Sequence, residues 1–260
     1  RKCGVNRLKN ERGFCKTGLQ AEVYSYLAHH GEEPPVSGEK GSGTIFFAHC
    51  NMACVYCQNF EFSQKIKQGG GISDRELAQI MLKLQNMGCH NINLVSPTHV
   101  MPQILKALKI AIESGLSVPL VYNTSGYELP EIIKILDGII DVYLPDMRYA
   151  DPAMSKKYSL APDYPKNNQD SIKEMYRQTG IAQMDNNSGL IEKGMIVRHL
   201  VLPEGISGTE QIMKFLAEEI SAETFVSLMS QYTPYYKACE FKELSRRITL
   251  QEYEKAQAIM

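Results

Sequence analysis

From Thr44 onward the chain repeats one rhythm: a short apolar run, then a stretch with apolar residues at helical spacing. The runs are "TIFFAH" (44–49), "NINLV" (91–95), "VPLVY" (118–122), "IIDVYL" (139–144), "MIVRHLVL" (195–202) and "TFVSLM" (224–229). Between them lie "SDRELAQIMLKLQNMG", "MPQILKALKIAIESG", "LPEIIKILDG" and "GTEQIMKFLAEEI". The first opens on Ser73 or Asp74 as a helix cap, and Gly88, Gly115 and Gly138 read as stops. Parallel neighbours cannot be joined by a tight turn, so this alternation predicts an α/β fold, a parallel sheet with crossover helices. Right-handed crossovers curl such a sheet one way. The outcome is an open doubly wound sheet or a partial barrel, which periodicity alone does not separate. In both, ligands gather just past the strand C-termini. Here those are the loops after Phe47, Val95, Tyr122, Leu144, Leu202 and Met229.

The first of these loops holds Cys50, Cys54 and Cys57, spaced C-x3-C-x2-C. Thiolates are the ligands soft enough for zinc or for the iron of an iron–sulfur cluster. A closed zinc site wants four ligands, with His49 or His99 as candidates for the fourth. Three thiolates on a four-iron cluster instead leave one iron without a protein ligand, a position open to a substrate.

The remaining composition is ordinary for a globular chain: 43% hydrophobic, 22% charged and a net charge of −1. That balance gives no overall electrostatic case for a nucleic-acid partner. No apolar stretch reaches membrane-spanning length, and "RKCGVNRLKN" lacks the apolar centre of a secretory leader. Residues upstream of Arg1 are expected, since the chain does not open on Met. Seven cysteines without a secretory leader point to a reducing, cytoplasmic setting.

The triplet, with Tyr56 just before Cys57, resembles the signature of the radical S-adenosylmethionine (SAM) superfamily, C-x3-C-x-aromatic-C after the first strand. That resemblance implies a partial (β/α)6 TIM-like barrel with an N-terminal extension. It implies a 4Fe-4S cluster on Cys50, Cys54 and Cys57, SAM as the second cofactor, and a one-electron donor such as flavodoxin or ferredoxin. Reductive cleavage of SAM would yield a 5′-deoxyadenosyl radical that abstracts a substrate hydrogen. The expected units are a cysteine-containing extension (1–43), a radical SAM core (44–232) and a C-terminal segment ending in a helix (233–260).

The other strand ends are similar to those of the pyruvate formate-lyase activating enzyme-like branch. "NLVSPTHVMP" brings Ser96 and Thr98 where many members have a Gly-Gly-Glu stretch at the SAM amino group. "YNTSGYE" and "DVYLPDMRY" place Asn123, Thr124, Asp146 and Arg148 where an Asp-Thr and an Asp-x-Lys surround the SAM carboxylate and ribose. Asn123 stands for an Asp there, which removes an anionic ligand from a cation site. Arg198, inside an apolar run, matches an arginine on the SAM carboxylate; an unpaired charge in that position would be expensive. His199 faces the other way by strand alternation. Asp146 has a plainer reading as a helix cap, and His99 as a packing residue. Gln231 and Tyr232 are expected near the substrate or at the barrel's closure. The branch implies a polypeptide substrate, as in glycyl-radical activation, with a small molecule or ribosomal peptide as the other radical SAM option. An iron–sulfur electron carrier or a zinc-binding module is the rival from another class. Cys3 and Cys15 read as half of a second metal site or as reduced surface thiols, Cys89 as core, and Cys239 has no partner.

Overall fold

A computed structural model describes residues 1–9, 11–66 and 70–260. Its strands are β1 (Val23–His29), β2 (Ser42–Phe47), β3 (Ile92–Val95), β4 (Leu120–Thr124), β5 (Val142–Pro145), β6 (Gln183–Met184), β7 (Ile191–Leu200) and β8 (Phe225–Met229). Its α-helices are α1 (Pro34–Ser37), α2 (Asp74–Asn86), α3 (Met101–Glu113), α4 (Pro130–Lys134), α5 (Pro152–Ser159), α6 (Tyr164–Thr179), α7 (Thr209–Phe215) and α8 (Leu250–Gln257). Six strands pair in parallel in the order β2-β3-β4-β5-β7-β8. The mixed sheet is the partial TIM-like barrel that the resemblance implies, one of the two outcomes the alternation left open. Each apolar run expected as a strand is one of these six, displaced by a few residues at its ends.

The helices form where local chemistry agrees with the apolar pattern. Ser73 caps α2 through a capping box: its Oγ accepts from Glu76 N–H at 3.2 Å, and Glu76 Oε2 accepts from Ser73 N–H at 2.8 Å. Leu77, Ala78, Met81 and Leu84 then bury one face against the sheet. Gly88 ends the helix with φ +89°, a backbone a side chain would resist. α3 buries Ile104, Ala107, Leu108 and Ala111 beside it. Together with Ile45, Phe47, Leu94 and Tyr122 these residues form the main core between sheet and helices.

Two parts of the molecule depart from the sequence reading. The segment read as a loop-ended extension contains β1, which pairs antiparallel with β2 from His29↔Ser42 to Val23↔Phe47. Beyond β1 the chain turns inward, and Val36 of α1 is buried inside the barrel against Val121, Val142, Leu144, Ile191 and Ile196. Asn91 Nδ2 holds it there through the Val36 carbonyl at 2.8 Å. The barrel is therefore plugged from below by its own N-terminal segment.

The crossover from β5 to β7 is also larger than expected, with α5, α6 and the antiparallel β6. Helix α6 ties the ends of β4 and β5 together. Asn168 Nδ2 donates to the carbonyls of Gly126 at 3.1 Å and Asp146 at 2.9 Å. Gly126 has φ +73°, and a Cβ there would lie 2.1 Å from Asn168 Nδ2, so only glycine lets helix and strand end approach this closely. Among the described residues, no helix is long and apolar enough to cross a membrane.

Candidate active site

The cysteine loop starts on a strained residue. His49 is in the left-handed region at φ +71°, uncommon for a non-glycine. Its imidazole Nε2 lies 3.2 Å from Glu22 Oε2, both side chains buried. The His49 N–H donates to the Phe62 carbonyl at 2.8 Å, and Phe62 stacks on Tyr24 with ring centroids 4.7 Å apart. From there the loop is pinned by backbone bonds. Ala53 N–H donates to Ser159 O (3.2 Å), Val55 N–H to Tyr158 O (2.8 Å), and Lys237 N–H to Val55 O (2.9 Å).

The three sulfurs receive donors suited to thiolate ligands. Cys54 is buried, and its Sγ accepts from Ser159 Oγ at 3.0 Å and from Arg148 Nη1 at 3.5 Å. Cys50 Sγ accepts from Met52 N–H at 3.4 Å, and Cys57 Sγ lies 3.3 Å from Ser63 Oγ. Burial pushes the Cys50 thiol up to about 12 and raises Cys57 as well, so the thiolate form in this pocket calls for a bound cation. Among the described residues, no three His, Cys, Asp or Glu side chains converge as ligands of one metal ion. A four-iron cluster takes one thiolate per iron, a wider spread than the tetrahedron round one zinc. Three thiols with hydrogen-bond donors directed at their sulfurs are a donor set that suits an iron–sulfur cluster.

Facing the loop is a cavity of about 330 Å³ whose lining includes Tyr56, Cys57, Asn123, Asp146, Arg148, Arg198 and Tyr232. Asp146 is its hub. Oδ2 accepts from Arg148 Nε (3.0 Å) and Nη2 (2.5 Å), and Oδ1 accepts from Arg198 Nε (2.8 Å). Burial alone would raise this carboxyl; Arg198 and Arg148 outweigh burial and hold it below its ordinary value. Arg198 also donates from Nη2 to Asn123 Oδ1 (2.5 Å) and from Nη1 to Glu32 Oε2 (3.3 Å). The charge inside the apolar run is thus paired twice over before any ligand arrives. Asp146 caps no helix: Asp151 caps α5, accepting from Ala153 N–H at 2.6 Å.

Glu32 is the residue that the sequence did not reveal. It lies just beyond β1 in "EEPP", yet its carboxylate sits in the barrel, where Asn93 Nδ2 (3.1 Å) and Asn123 Nδ2 (3.3 Å) donate to Oε1. Two acids before a Pro-Pro helix start, after an aromatic run able to form a strand, was the available signal.

Three expected SAM contacts lie outside the cavity lining. Thr98 and Thr124 both donate to Glu128 Oε1 at 2.5 Å, and neither lines the cavity. Ser96, at φ +57°, also lies outside the lining; its N–H donates to the Asn123 carbonyl at 2.9 Å. The hydroxyls are drawn away because Glu128 is buried at 2% exposure and needs donors. Its carboxyl is raised by burial to about 7 despite them. His99 is a packing residue, with Nε2 2.8 Å from the Ala48 carbonyl and burial pushing it down to about 4. His199 faces away from the cavity, between Met147 O (2.7 Å) and Thr209 Oγ1 (2.9 Å). Gln231 and Tyr232 line the cavity. Cys89 is buried and Cys239 exposed. Cys15 Sγ accepts from Arg7 Nη2 at 3.2 Å, while Cys3 is exposed.

Tyr56 fills the aromatic position as expected and packs edge-on against Tyr232 and Tyr149, centroids 5.8 and 6.4 Å away. This aromatic shell closes the cavity beside Cys57.

Comparison with known proteins agrees with that geometry. The family model of the radical SAM superfamily matches residues 44–184. An uncharacterized protein of Methanocaldococcus jannaschii is 34% identical over 265 residues, covering 98% of this chain and 71% of that protein. Among solved structures, HydG, a maturase of the FeFe-hydrogenase, matches with a TM-score of 0.54 and 13% identity, over 81% of this chain. At that identity the likeness is one of fold, and the match takes in 46% of the HydG chain.

Proposed function

Because the chain belongs to the radical SAM superfamily, whose members use a 4Fe-4S cluster and SAM, we propose that it acts on a polypeptide, in the manner of the glycyl-radical activases. The observation that carries this reading is where the cavity opens. Its lining takes His29 and Phe46 from β1 and β2, and Met229, Gln231 and Thr233 from the end of β8 and beyond. β1 and β2 lie at one end of the sheet and β8 at the other, so the cavity lining draws on both sides of the gap between them. Strands β1 and β8 each pair on one side only among the described residues. Such edges present backbone donors and acceptors that an extended polypeptide can match. Tyr24, Tyr26, Leu27 and Phe225 on these two strands are exposed apolar side chains.

Cys50, Cys54 and Cys57 hold the cluster, which when bound supplies the electron that cleaves SAM and so the hydrogen-abstracting 5′-deoxyadenosyl radical. The protein's own contribution is position and electrostatics. Ser159 and Arg148 direct donors at the Cys54 sulfur, one of the levers on a cluster's potential. The Asp146–Arg148–Arg198 array is fixed by its own hydrogen bonds, so polar groups meet SAM already oriented. Asn123 and Asp146 stand at adjoining strand ends in the cavity lining, where they would meet a ligand's amino-acid and ribose groups. Phe46, Tyr56 and Tyr232 exclude water from the cavity walls. The electron comes from a one-electron donor of the flavodoxin or ferredoxin kind.

Anaerobically reconstituted protein under dithionite should release 5′-deoxyadenosine, and Cys57→Ala should not. Substrate class is then read with extract from cells grown in deuterium oxide, divided by dialysis. Deuterium entering 5′-deoxyadenosine from the retained macromolecules supports a polypeptide. Deuterium arriving only from the dialysate sinks that reading in favour of a small molecule.

A further inference from the structure

The first sixteen residues hold six basic side chains, Arg1, Lys2, Arg7, Lys9, Arg12 and Lys16, against one acid, Glu11, in a chain whose net charge is −1. The residues described there fold back on themselves as a loop. Phe14 N–H donates to Cys3 Sγ at 3.5 Å, and Arg7 Nη2 to Cys15 Sγ at 3.2 Å. The arginines are engaged with the protein: Arg7 Nη1 donates to His99 O (2.5 Å) and Arg12 Nη1 to Lys16 O (2.6 Å). Glu11 is turned in on the loop, its Oε2 accepting from Asn6 N–H at 2.7 Å. The lysines are left over. Lys2, Lys9 and Lys16 are exposed, and none makes an ion pair among the described residues.

This basic loop lies against the cysteine loop. Arg1 Nε donates to the carbonyl of Asn51, the residue after Cys50, at 2.7 Å, and Arg1 Nη2 to Leu160 O at 2.5 Å. The same guanidinium sits 3.5 Å from the ring centroid of Phe14, which is 37% exposed, and Leu8 is 82% exposed. Apolar side chains left in water beside unpaired charge of one sign mark an interaction surface. The surface is also separate from the reaction cavity, whose lining takes in no residue before His29. An electron has to reach the cluster while SAM and substrate fill that cavity, so its donor needs an approach to the cysteines from outside it.

We propose that the N-terminal loop is the docking face for the one-electron donor, a small redox protein with an acidic surface. This rests on the radical SAM reading, which puts the cluster on Cys50, Cys54 and Cys57. Three unpaired lysines steer a partner of opposite charge and orient it, with Phe14 and Leu8 as the apolar contact. In the docked pair one electron leaves the donor's reduced flavin or iron–sulfur centre and enters the cluster, and no atom is transferred. A nucleic acid or an anionic membrane also complements lysines, but neither has need of a place beside Cys50.

The test is titration calorimetry of the anaerobically reconstituted protein with oxidised flavodoxin and oxidised ferredoxin at low and high salt. Stopped-flow bleaching of the cluster by the same two proteins, once reduced, gives the rate. The wild type should bind at least one of them, more weakly as salt is added. The triple variant Lys2→Glu, Lys9→Glu, Lys16→Glu should weaken binding and slow reduction at least tenfold at low salt. Reduction by dithionite, which needs no docking, should stay as in the wild type. The control is Lys65→Glu with Lys237→Glu, beyond Cys57, where the two ammonium groups lie over the stacked rings of Phe60 and Tyr236. It should bind the donor as the wild type does. A wild type that binds neither protein, or binds without regard to salt, overturns the proposal, as does a triple variant within twofold of wild type. A loss confined to the control variant puts the donor on the Cys57 side and overturns it too. So does a triple variant that keeps the donor but loses single-stranded RNA or phosphatidylserine vesicles. Should the triple variant not fold, carbodiimide cross-linking of the wild type to the donor decides, by whether Lys2, Lys9 or Lys16 carries the cross-link. Failure of the radical SAM reading shows separately, as a cluster that dithionite does not reduce.

Discussion

At the scale of single residues, two of the buried carboxylates, Asp146 and Glu128, behave in opposite ways. Asp146 lies between two guanidinium groups and is held below its ordinary range. Glu128 has only neutral donors, Thr98 and Thr124, on one oxygen, and burial raises it to about 7. A carboxyl whose folded value exceeds its unfolded value binds its proton more tightly in the native state. Its contribution to stability is therefore largest at low pH and is lost as the pH rises from about 4.5 through about 7. Glu128→Gln should stabilise the fold at pH 8 by about 2 kcal/mol and change little at pH 5. Urea unfolding at the two pH values reads this out; an equal effect at both would mean that Glu128 does not titrate on folding. The residue scale is also where the sequence was most legible. The cysteines and Tyr56 announce themselves by spacing, and Asn123, Asp146, Arg148 and Arg198 by standing at strand ends. Thr98 and Thr124 misled because a hydroxyl at a strand end is equally suited to a ligand or to a buried acid, and only the packing of Glu128 decides. Glu32 reaches Arg198 across 166 positions of sequence, a closeness no local pattern encodes.

At the scale of elements, helix α6 has an influence that its composition conceals. Its buried face includes Tyr164, Asn168, Ser171, Ile172, Glu174 and Met175, so polar side chains fill positions that an apolar pattern would mark. Those polar groups hold the site's strand ends. The Tyr164 hydroxyl lies 2.8 Å from Ser125 O and 2.9 Å from Asp146 O, and accepts from Arg148 N–H at 3.0 Å. Asn168→Ala should leave the buried Gly126 carbonyl without its amide donor and cost about 2 kcal/mol. A loss below about 0.5 kcal/mol in urea unfolding would show that α6 does not hold β4 and β5 in place. β1 escaped notice for the opposite reason. "VYSYLAH" has the aromatic and β-branched character of a strand, but it lies in a segment rich in charge, proline and glycine that reads as irregular.

At the scale of the whole molecule, residues before Thr44 behave as part of the barrel rather than as an appendage. They supply an edge strand, an interior plug at Val36 and a carboxylate on Arg198. A variant lacking residues 1–41 loses all three. It should bind the dye ANS through uncovered Val121, Val142 and Ile196, and should melt without a cooperative transition. A sharp melt within a few degrees of the intact protein would show that the barrel stands without its plug.

The seam between β1 and β8 has a mechanical consequence. A fully closed barrel is held by a continuous hoop of backbone hydrogen bonds, and widening it means breaking a strand pair. Here the hoop is split, since β1 and β8 sit at opposite ends of the array and are not paired with each other. What joins the β7–β8 side to the β1–β2 side is therefore not a strand ladder but single contacts, Arg198 to Glu32 and Lys237 N–H to Val55 O among them.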